Sequence, residues 1–176
     1  MVDVLDENGV KTGEVVTRKE VHSKGLWHRA VIICIINSNN EFLMQRRSLS
    51  RDKFPGLWDL SAAAHVQAGD DAVSTAVREM NEEIGVQTEY KIQVKDFRFL
   101  TSFRSHQIIG DIIENQYYDL FILRKDLEAA DLNFNDEEVM ETKWINYTTL
   151  QKLLKENALH PRLEWVNEVV RYVNRF

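Results

Sequence analysis

A short apolar segment in the first third of the chain constrains the fold most strongly. The residues HRAVIICIIN, 28–37, are rich in β-branched side chains and run into the turn-prone NSNN. A continuous apolar run of this kind, ended by turn residues, is typical of a buried β-strand. The run from Ala30 to Ile36 is far too short to span a bilayer, which takes about 20 residues of helix. We therefore expect a buried strand at the centre of a globular fold.

The flanking sequence predicts further strands and three helices around this strand. The segment EFLMQRR, 41–47, is expected to be its hairpin partner, and Asn8-Gly9 predicts the turn of a small N-terminal hairpin within about 1–20. Residues 53–71 begin as a loop, with Pro55-Gly56 as a break. Further strands are predicted at 91–103, 115–123 and 138–146, and helices at 71–84, 147–157 and 161–176. This order predicts an α/β fold with helices packed on a mixed sheet.

Length and composition suggest one globular domain that covers residues 1–176, with C-terminal helices at about 147–176. The 22 basic and 28 acidic residues give a net charge of −6, so the chain has no overall attraction for nucleic acid polymers or anionic membranes. The single cysteine, Cys34, cannot form an internal disulfide, and the start of the chain does not read as a signal peptide. These features predict a cytoplasmic protein.

The segment REMNEEIGV, 78–86, places three glutamates on one edge of a predicted helix. At 3.6 residues per turn, Val73, Val77, Met80 and Ile84 form the core side of a helix over 71–84. A second face carries the acids Glu79, Glu82 and Glu83, with the small residues Ala72 and Ala76 leaving room beside them.

Like charges at these spacings cost roughly 0.2–0.5 kcal/mol per pair, and a divalent cation such as Mg²⁺ would compensate them. Arg78 can pair with Glu82 four residues later. The simpler alternative is a solvated, charged helix face without a ligand.

The segment from Ala64 to Val86 resembles the Nudix box, whose pattern is G, five residues, E, seven residues, then R-E-U-x-E-E-x-G-U, where U is a bulky aliphatic residue. All spacings fit, and the second half is matched in full. Ala64 stands where glycine is usual and Asp70 where glutamate is usual. The resemblance implies a Nudix-type α/β/α sandwich around a central mixed sheet. It also implies Mg²⁺ or Mn²⁺ held by Glu79, Glu82, Glu83 and the backbone carbonyl of Ala64.

Beyond the box, the stretches 21–30, 42–66 and 114–121 resemble the isopentenyl-diphosphate-isomerase-like branch of this family. The isomerase uses a cysteine and a glutamate to move protons, and the matching positions here are Ala63 and Gln116. Neither side chain can exchange protons, so the resemblance favours a hydrolase that cleaves a small-molecule diphosphate, often a nucleoside diphosphate derivative. The alternatives are the isomerase itself and a non-catalytic nucleotide-binding module. A homodimer is a family expectation.

The candidate site residues fall into groups with shared chemistry. The catalytic candidates combine the box with one acid outside it: Arg78, Glu79, Glu82 and Glu114. For the base that activates water, Glu79 and Glu114 rank slightly ahead of Glu137 or Glu138. The phosphate-binding candidates form a basic cluster in an acidic chain: Arg46, Arg47, Arg51 and Lys53. On an alternating strand, at most one of Arg46 and Arg47 should face a cleft.

Two further groups carry structural as well as functional interpretations. Phe54, Trp58 and Tyr117 could stack on a base or cover an apolar tail, although core packing is the commoner role. His65 matches a metal-ligand histidine of the isomerase, and His22 and His28 match less closely. His106 and His160 fit no pattern and are expected to be structural or on the surface.

Overall fold

The computed structural model describes residues 1–82, 92–127, 137–161 and 164–173; for 164–167 it describes the backbone alone. The strands are β1 (Val2–Leu5), β2 (Lys11–Val16), β3 (His28–Ile36), β4 (Phe42–Arg47), β5 (Trp58–Asp59), β6 (Ala62–His65), β7 (Phe97–Ile109), β8 (Ile112–Arg124) and β9 (Val139–Ile145). The helices are α1 (Arg18–Ser23), α2 (Ala72–Glu82), α3 (Tyr147–Lys155) and α4 (Glu164–Val173), with a 3₁₀ turn at Val94–Asp96. Within the described ranges, no helix combines the length and the apolar character needed to cross a membrane.

The main sheet is mixed and has the strand order β5-β4-β3-β8-β7, with β6 beside β3 and β9 beside β4. Strand β3 runs parallel to β8 and antiparallel to β6. Strands β3 and β4 share one residue pair next to their turn, Ile36 with Phe42, after which β4 pairs with β9. The sheet therefore splits between β3 and β4.

The hydroxyl of Ser61 bridges this split. It accepts a hydrogen bond from the backbone N–H of Ile35 on β3 at 2.9 Å and donates to the carbonyl of Leu43 on β4 at 2.7 Å. Both backbone groups would otherwise be buried without partners, which is costly.

Alternation along β3 builds two hydrophobic cores, one on each face of the sheet. Ala30, Ile32, Cys34 and Ile36 pack with side chains of α3 and α4, such as Leu150. The residues between them, such as Val31 and Ile33, pack with Ala76 and Met80 of α2. Successive side chains of a strand point to opposite faces, so helices cover both sides of β3. The predicted α/β/α sandwich with a mixed sheet is confirmed.

The N-terminal hairpin forms as predicted, and a helix that was not predicted follows it. Strands β1 and β2 are antiparallel, and their apolar side chains enclose Val21 of α1. Helix α1 begins with a capping box, in which the Thr17 hydroxyl accepts from the Glu20 N–H and the Glu20 carboxylate accepts from the Thr17 N–H. The hairpin also holds the loop before α2, because the carbonyl of Met1 accepts from the N–H of Ala68 at 3.1 Å.

Several local predictions need correction. Segment 53–71 begins as a loop, as predicted, but it also holds the short strands β5 and β6, and the strand predicted from residue 91 begins at Phe97. The hairpin of β3 and β4 is limited to its turn, since β4 pairs mainly with β9.

The faces of α2 also differ from the prediction. Ala76 is fully buried with Met80 in the core instead of leaving space beside the acids, whereas Val77 is only partly buried. The predicted end of the helix at Ile84 lies outside the described residues.

Candidate active site

Helix α2 presents an acidic edge whose two described glutamates share one arginine. Nη1 of Arg78 lies 2.7 Å from Oε1 of Glu79 and 3.1 Å from Oε2 of Glu82. Glu79 is buried, with 4% of its surface exposed, whereas the Glu82 side chain is 60% exposed. These three residues line a small cavity of about 330 Å³ together with Met1, Val2 and Gln67. Glu83, the third predicted acid, lies outside the described residues.

The two positions that depart from the Nudix box cause no visible strain. Among described non-glycine residues, a positive φ occurs at Asn40, Phe54 and Asn157, so Ala64 adopts an ordinary strand conformation within β6. Asp70 and Asp71 both precede α2, and Asp71 caps the helix: its carboxylate accepts from the N–H of Ser74 at 2.8 Å. This hydrogen bond lowers the pKa of Asp71.

A larger cavity of about 830 Å³ lies where the sheet splits. Its wall includes Gln45 and Arg47 of β4, Ala62 to His65 of β6, and Glu114, Gln116 and Tyr118 of β8. The loop 50–54, the turn 137–138 and His160 also contribute to it. Arg18 and His65 line both cavities, so the acidic edge of α2 adjoins the larger cavity.

The four predicted phosphate-binding residues divide into three that line the larger cavity and one that does not. Arg47, Arg51 and Lys53 contribute to its wall. Arg46 is not part of the wall; it donates to the carbonyl of Gly56 at 3.0 Å and faces Glu141. Arg46 and Arg47 point in different directions because they are neighbours on an alternating strand.

Acidic side chains hold much of this positive charge in place. Lys53 forms a short ion pair with Glu114, and Nη1 of Arg51 lies 2.7 Å from Oε1 of Glu138. Glu114, Glu137 and Glu138, the three candidate bases outside the box, all line the larger cavity. The cavity wall is therefore rich in both charge signs.

Strand register brings two histidines and a glutamine together on the sheet, and a third histidine joins them from α1. His28 of β3 pairs with Gln116 of β8, and Ala30, two residues along β3, pairs with His65 of β6. His22 approaches from α1, with its ring 5.1 Å from that of His28 and 5.2 Å from that of His65. One ligand nitrogen from each of the three lies within 4.8 Å of the others.

Hydrogen bonds set the tautomer of His28 within the histidine cluster, defined as His22, His28 and His65. Nδ1 of His28 must donate to the carbonyl of Leu26 at 3.1 Å, which leaves Nε2 as an acceptor. The amide nitrogen of Gln116 lies 3.1 Å from Nε2 of His28 and 3.2 Å from Nε2 of His65. The hydroxyl of Tyr118 donates to the amide oxygen of Gln116, which matches this orientation. Burial lowers the pKa of His28 to about 4 and also lowers that of His65, so both rings are neutral.

The acidic edge of α2 and the histidine cluster suit different cations. Carboxylate oxygens, as on Glu79 and Glu82, are ligands that Mg²⁺ and Mn²⁺ prefer, whereas imidazole nitrogens suit transition metals. In the histidine cluster, the amide donors of Gln116 face the nitrogen lone pairs that a cation would need. The acidic edge thus fits Mg²⁺ or Mn²⁺ by its donor atoms, and the histidine cluster as arranged does not.

The three aromatic candidates have separate environments. Trp58 packs against the hydrophobic core, as its commoner role predicts. Tyr117 contacts Trp27 and donates to the carbonyl of Glu7, away from the cavity wall. Phe54 lines the larger cavity, has φ = 50°, and lies 4.4 Å from the ring of His160. A bulky residue at positive φ costs on the order of 1–3 kcal/mol, and such strain clusters at functional sites.

Arg18 is a site residue that the sequence interpretation missed. It is exposed, lines both cavities and forms no ion pair with another described residue. Its position depends on α1, whose Thr17-x-x-Glu20 capping box is readable from the sequence and could have revealed the helix. His106, which carried no pattern, is exposed and contacts Asn115 on the β7–β8 hairpin, whereas His160 is buried.

The fold and this site define an α/β sandwich protein with an acidic helix edge beside a charged cavity. The NUDIX domain family matches residues 26–166. This chain belongs to the Nudix family, which confirms the resemblance carried by the box.

Relatives from two kinds of protein are similar to this chain. Nudix hydrolase 3 of Arabidopsis thaliana is 36% identical over 159 residues, which is 88% of this chain but only 20% of that protein. This chain thus spans about a fifth of the length of that relative. Isopentenyl-diphosphate Delta-isomerase 2 of Photorhabdus laumondii is 29% identical over 154 residues, covering 87% of this chain and 81% of that protein. The resemblance to both hydrolases and isomerases is thereby confirmed.

The fold has a close counterpart among solved structures. The crystal structure of DR0079 from Deinococcus radiodurans aligns with a TM-score of 0.70 at 21% identity, covering 99% of this chain and 97% of that one. At this level of identity, the similarity establishes the fold alone.

Proposed function

We propose that this protein is a divalent-cation-dependent hydrolase that cleaves a diphosphate linkage in a nucleoside diphosphate derivative or a related organic diphosphate. The observation that carries the proposal is the junction of the two cavities. The acidic edge of α2 meets the charged cavity at Arg18 and His65, which line both. A diphosphate placed there would meet arginine side chains and an acidic cation site together, and these are the groups that phosphoryl chemistry requires.

In this proposal, Glu79 and Glu82 hold Mg²⁺ or Mn²⁺, with Glu83 and the carbonyl of Ala64 as further ligands. When bound, the cation would neutralise charge on the bridging diphosphate. Arg78 keeps the two carboxylates oriented, since its guanidinium contacts both. Arg18, Arg47, Arg51 and Lys53 bind the phosphate oxygens in the larger cavity.

The attacking water needs a base, and Glu79 and Glu114 are the leading candidates. Glu79 belongs to the acidic edge, whereas Glu114 lines the larger cavity next to Lys53. Glu138 is also in the wall, paired with Arg51. A base must come within hydrogen-bond reach of the water, so the three are distinguished by where the scissile phosphorus binds.

An isomerase reaction is disfavoured by the side chains in the cavity. Ala63 lines the wall where the isomerase has its cysteine, and Gln116 donates its amide hydrogens to two histidines. Neither group can add or remove a proton at carbon. Conversion of isopentenyl to dimethylallyl diphosphate by the purified protein, followed by NMR, would overturn this proposal.

The test of the proposal is turnover of a diphosphate panel with Mg²⁺ or Mn²⁺, comparing wild type with Glu82→Gln. The panel holds ADP-ribose, NADH, dinucleoside polyphosphates, CoA, nucleotide sugars and prenyl diphosphates. Glu82 is largely exposed, so its replacement should leave the fold intact while kcat falls by about 10²–10³-fold. Glu156→Gln is the matched control, since Glu156 lies exposed at the end of α3 near Lys152. Parallel variants Glu79→Gln and Glu114→Gln compare the candidate bases.

A nucleotide-binding module without catalytic activity would give a different pattern. Such a protein would turn over no member of the panel, and nucleotide binding would be unchanged in Glu82→Gln. That result would replace the hydrolase with the binding module.

A further inference from the structure

The wall of the larger cavity offers very little aliphatic surface. Among the described residues that line it, the mainly apolar side chains larger than alanine are Phe54, Tyr118 and Val139. Tyr118 is buried, and its hydroxyl is bound to Gln116, so it belongs to the cavity floor. An isoprenoid chain would find few partners here, because its binding depends on apolar area removed from water.

Phe54 is placed as a ligand-facing residue and not as part of the core. It is only partly buried and is absent from the hydrophobic clusters that the described residues form. Its ring packs edge-to-face on His160, with an interplanar angle of 66°. His160 is itself buried, and its backbone N–H donates to the carbonyl of Trp58 at 2.7 Å. The ring of Phe54 is therefore backed by a fixed partner while part of it stays open to the cavity.

The loop that carries Phe54 is tied to the charged residues of the cavity. The carbonyl of Lys53 accepts hydrogen bonds from Nε and Nη2 of Arg47 at 3.1 and 2.9 Å. The Lys53 side chain pairs with Glu114 on β8. Lys53 is thus anchored through both its carbonyl and its side chain. Phe54 is the next residue, so its position relative to the basic groups is fixed.

We propose that Phe54, backed by His160, is the residue that selects the group beyond the diphosphate, and that this group is a nucleobase. The inference rests on the proposed function, because it assigns the substrate class of the same cavity. A planar base stacks on an aromatic ring through its π-face. Carboxylates in the wall, such as exposed Asp52, can accept hydrogen bonds from ribose hydroxyls or an exocyclic amine. An isoprenoid chain carries no hydrogen-bond donor for these acceptors.

The experiment compares Phe54→Leu and Phe54→Trp with wild type. Both variants keep a side chain at a position with positive φ, so they carry similar backbone strain. Phe99→Leu is the matched control, because Phe99 is 54% exposed on β7 and outside the cavity wall. Calorimetric titration measures binding of AMP, inorganic pyrophosphate and geranyl diphosphate in the presence of Mg²⁺, and thermal unfolding checks that each variant is folded.

Phe54→Leu is expected to weaken AMP binding about tenfold, the loss typical of one stacked base, with pyrophosphate binding unchanged. Phe54→Trp should bind AMP at least as tightly as wild type. Any nucleotide substrate identified in the panel should show a raised KM in Phe54→Leu with kcat within about twofold. The Phe99→Leu control should match wild type throughout.

Three results would overturn the inference: wild-type AMP affinity in Phe54→Leu, weaker AMP binding in Phe54→Trp, or tighter binding of geranyl diphosphate than of AMP by wild type. The experiment can support the nucleobase site and contradict the proposed function, or the reverse. Loss of AMP binding in Phe54→Leu by a protein that hydrolyses nothing would sustain the nucleobase site and end the hydrolase proposal. Turnover of diphosphates with no effect of Phe54 would do the reverse.

Discussion

Replacing Arg78 by glutamine tests whether the acidic edge of α2 needs a positive charge. In the native protein, Nη1 of Arg78 reaches both Glu79 and Glu82, at 2.7 and 3.1 Å. The variant leaves the buried Glu79 carboxylate without its cationic partner. We expect Arg78→Gln to be destabilised when divalent cations are removed, and a divalent cation to reverse much of that loss.

The magnitude follows from how deeply the pair is buried. Removing one partner of a fully buried ion pair costs about 3–5 kcal/mol. The Glu79 side chain is 5% exposed, but that of Arg78 is 31% exposed, so water screens part of the interaction. We expect a loss of about 2 kcal/mol in the free energy of unfolding. For a chain of 176 residues, this corresponds to a decrease of roughly 4–8 °C in Tm.

The assay is thermal unfolding followed by circular dichroism, in EDTA and in Mg²⁺ or Mn²⁺. A cation at a hundred times its Kd stabilises the folded state by about 2.7 kcal/mol, which is enough to offset the loss. The double variant Arg78→Gln/Glu79→Gln should recover most of the stability in EDTA, because no buried charge is left unpaired. Arg171→Gln is the matched control: its pair with Glu168 is exposed, and we expect a change below about 0.5 kcal/mol.

Unfolding of Arg78→Gln in EDTA at the wild-type temperature would contradict this role of Arg78. So would a cation-induced rise in Tm that is no larger in Arg78→Gln than in Arg171→Gln. Either result would mean that water satisfies the carboxylates without a cation and that the acidic edge is an ordinary solvated face.

Two smaller predictions concern stability and reactivity. Asp71→Ala should lower the free energy of unfolding in urea by about 1 kcal/mol, because the Asp71 carboxylate caps α2 through the N–H of Ser74. The adjacent Asp70→Ala should change it by less than about 0.5 kcal/mol, and equal losses would contradict this assignment of the cap. Cys34 is fully buried and its thiol pKa is raised, so iodoacetamide should leave the native protein unmodified and label one thiol in urea, as read by mass spectrometry; rapid labelling of the native state would contradict its placement in the core.

Local sequence patterns predicted the central elements because local chemistry determines them. The β-branched run of β3 forms a strand that is buried on both faces, and each face meets a different core. The turn at Asn8-Gly9 and the cap at Asp71 depend on residues a few positions apart. These features can be recognised from a single sequence because the interacting groups are neighbours along the chain.

The errors concern features that depend on distant partners. The predicted β3–β4 hairpin ends after its turn because β6 takes the place beside β3, and β9 pairs with β4. Ala76 was assigned to the acidic face by helical spacing alone, but the sheet covers that side of α2. Spacing along a helix gives relative directions, whereas which direction is buried depends on what packs there.

The candidate site shows the same division. Arg78, Glu79 and Glu82 lie within one helical turn and a half, so their mutual contacts could be anticipated from the sequence. The histidine cluster was suggested only by resemblance to the isomerase, because its geometry needs the register of β3 and β6 and the placement of α1. The sequence offers His22, His28 and His65 at separations of 6 and 37 residues, which match no local ligand spacing.

Gln116 determines the chemistry of the histidine cluster. A glutamate at this register position would present only acceptors to His28 and His65, so it would favour protonated rings or a shared cation. The amide of Gln116 instead donates to both rings, and its oxygen is held by Tyr118. The neutral histidines then need no cation, whereas the carboxylates of α2 offer the oxygen ligands that Mg²⁺ and Mn²⁺ prefer. A single position on β8 thus separates two chemistries that the same sheet could support.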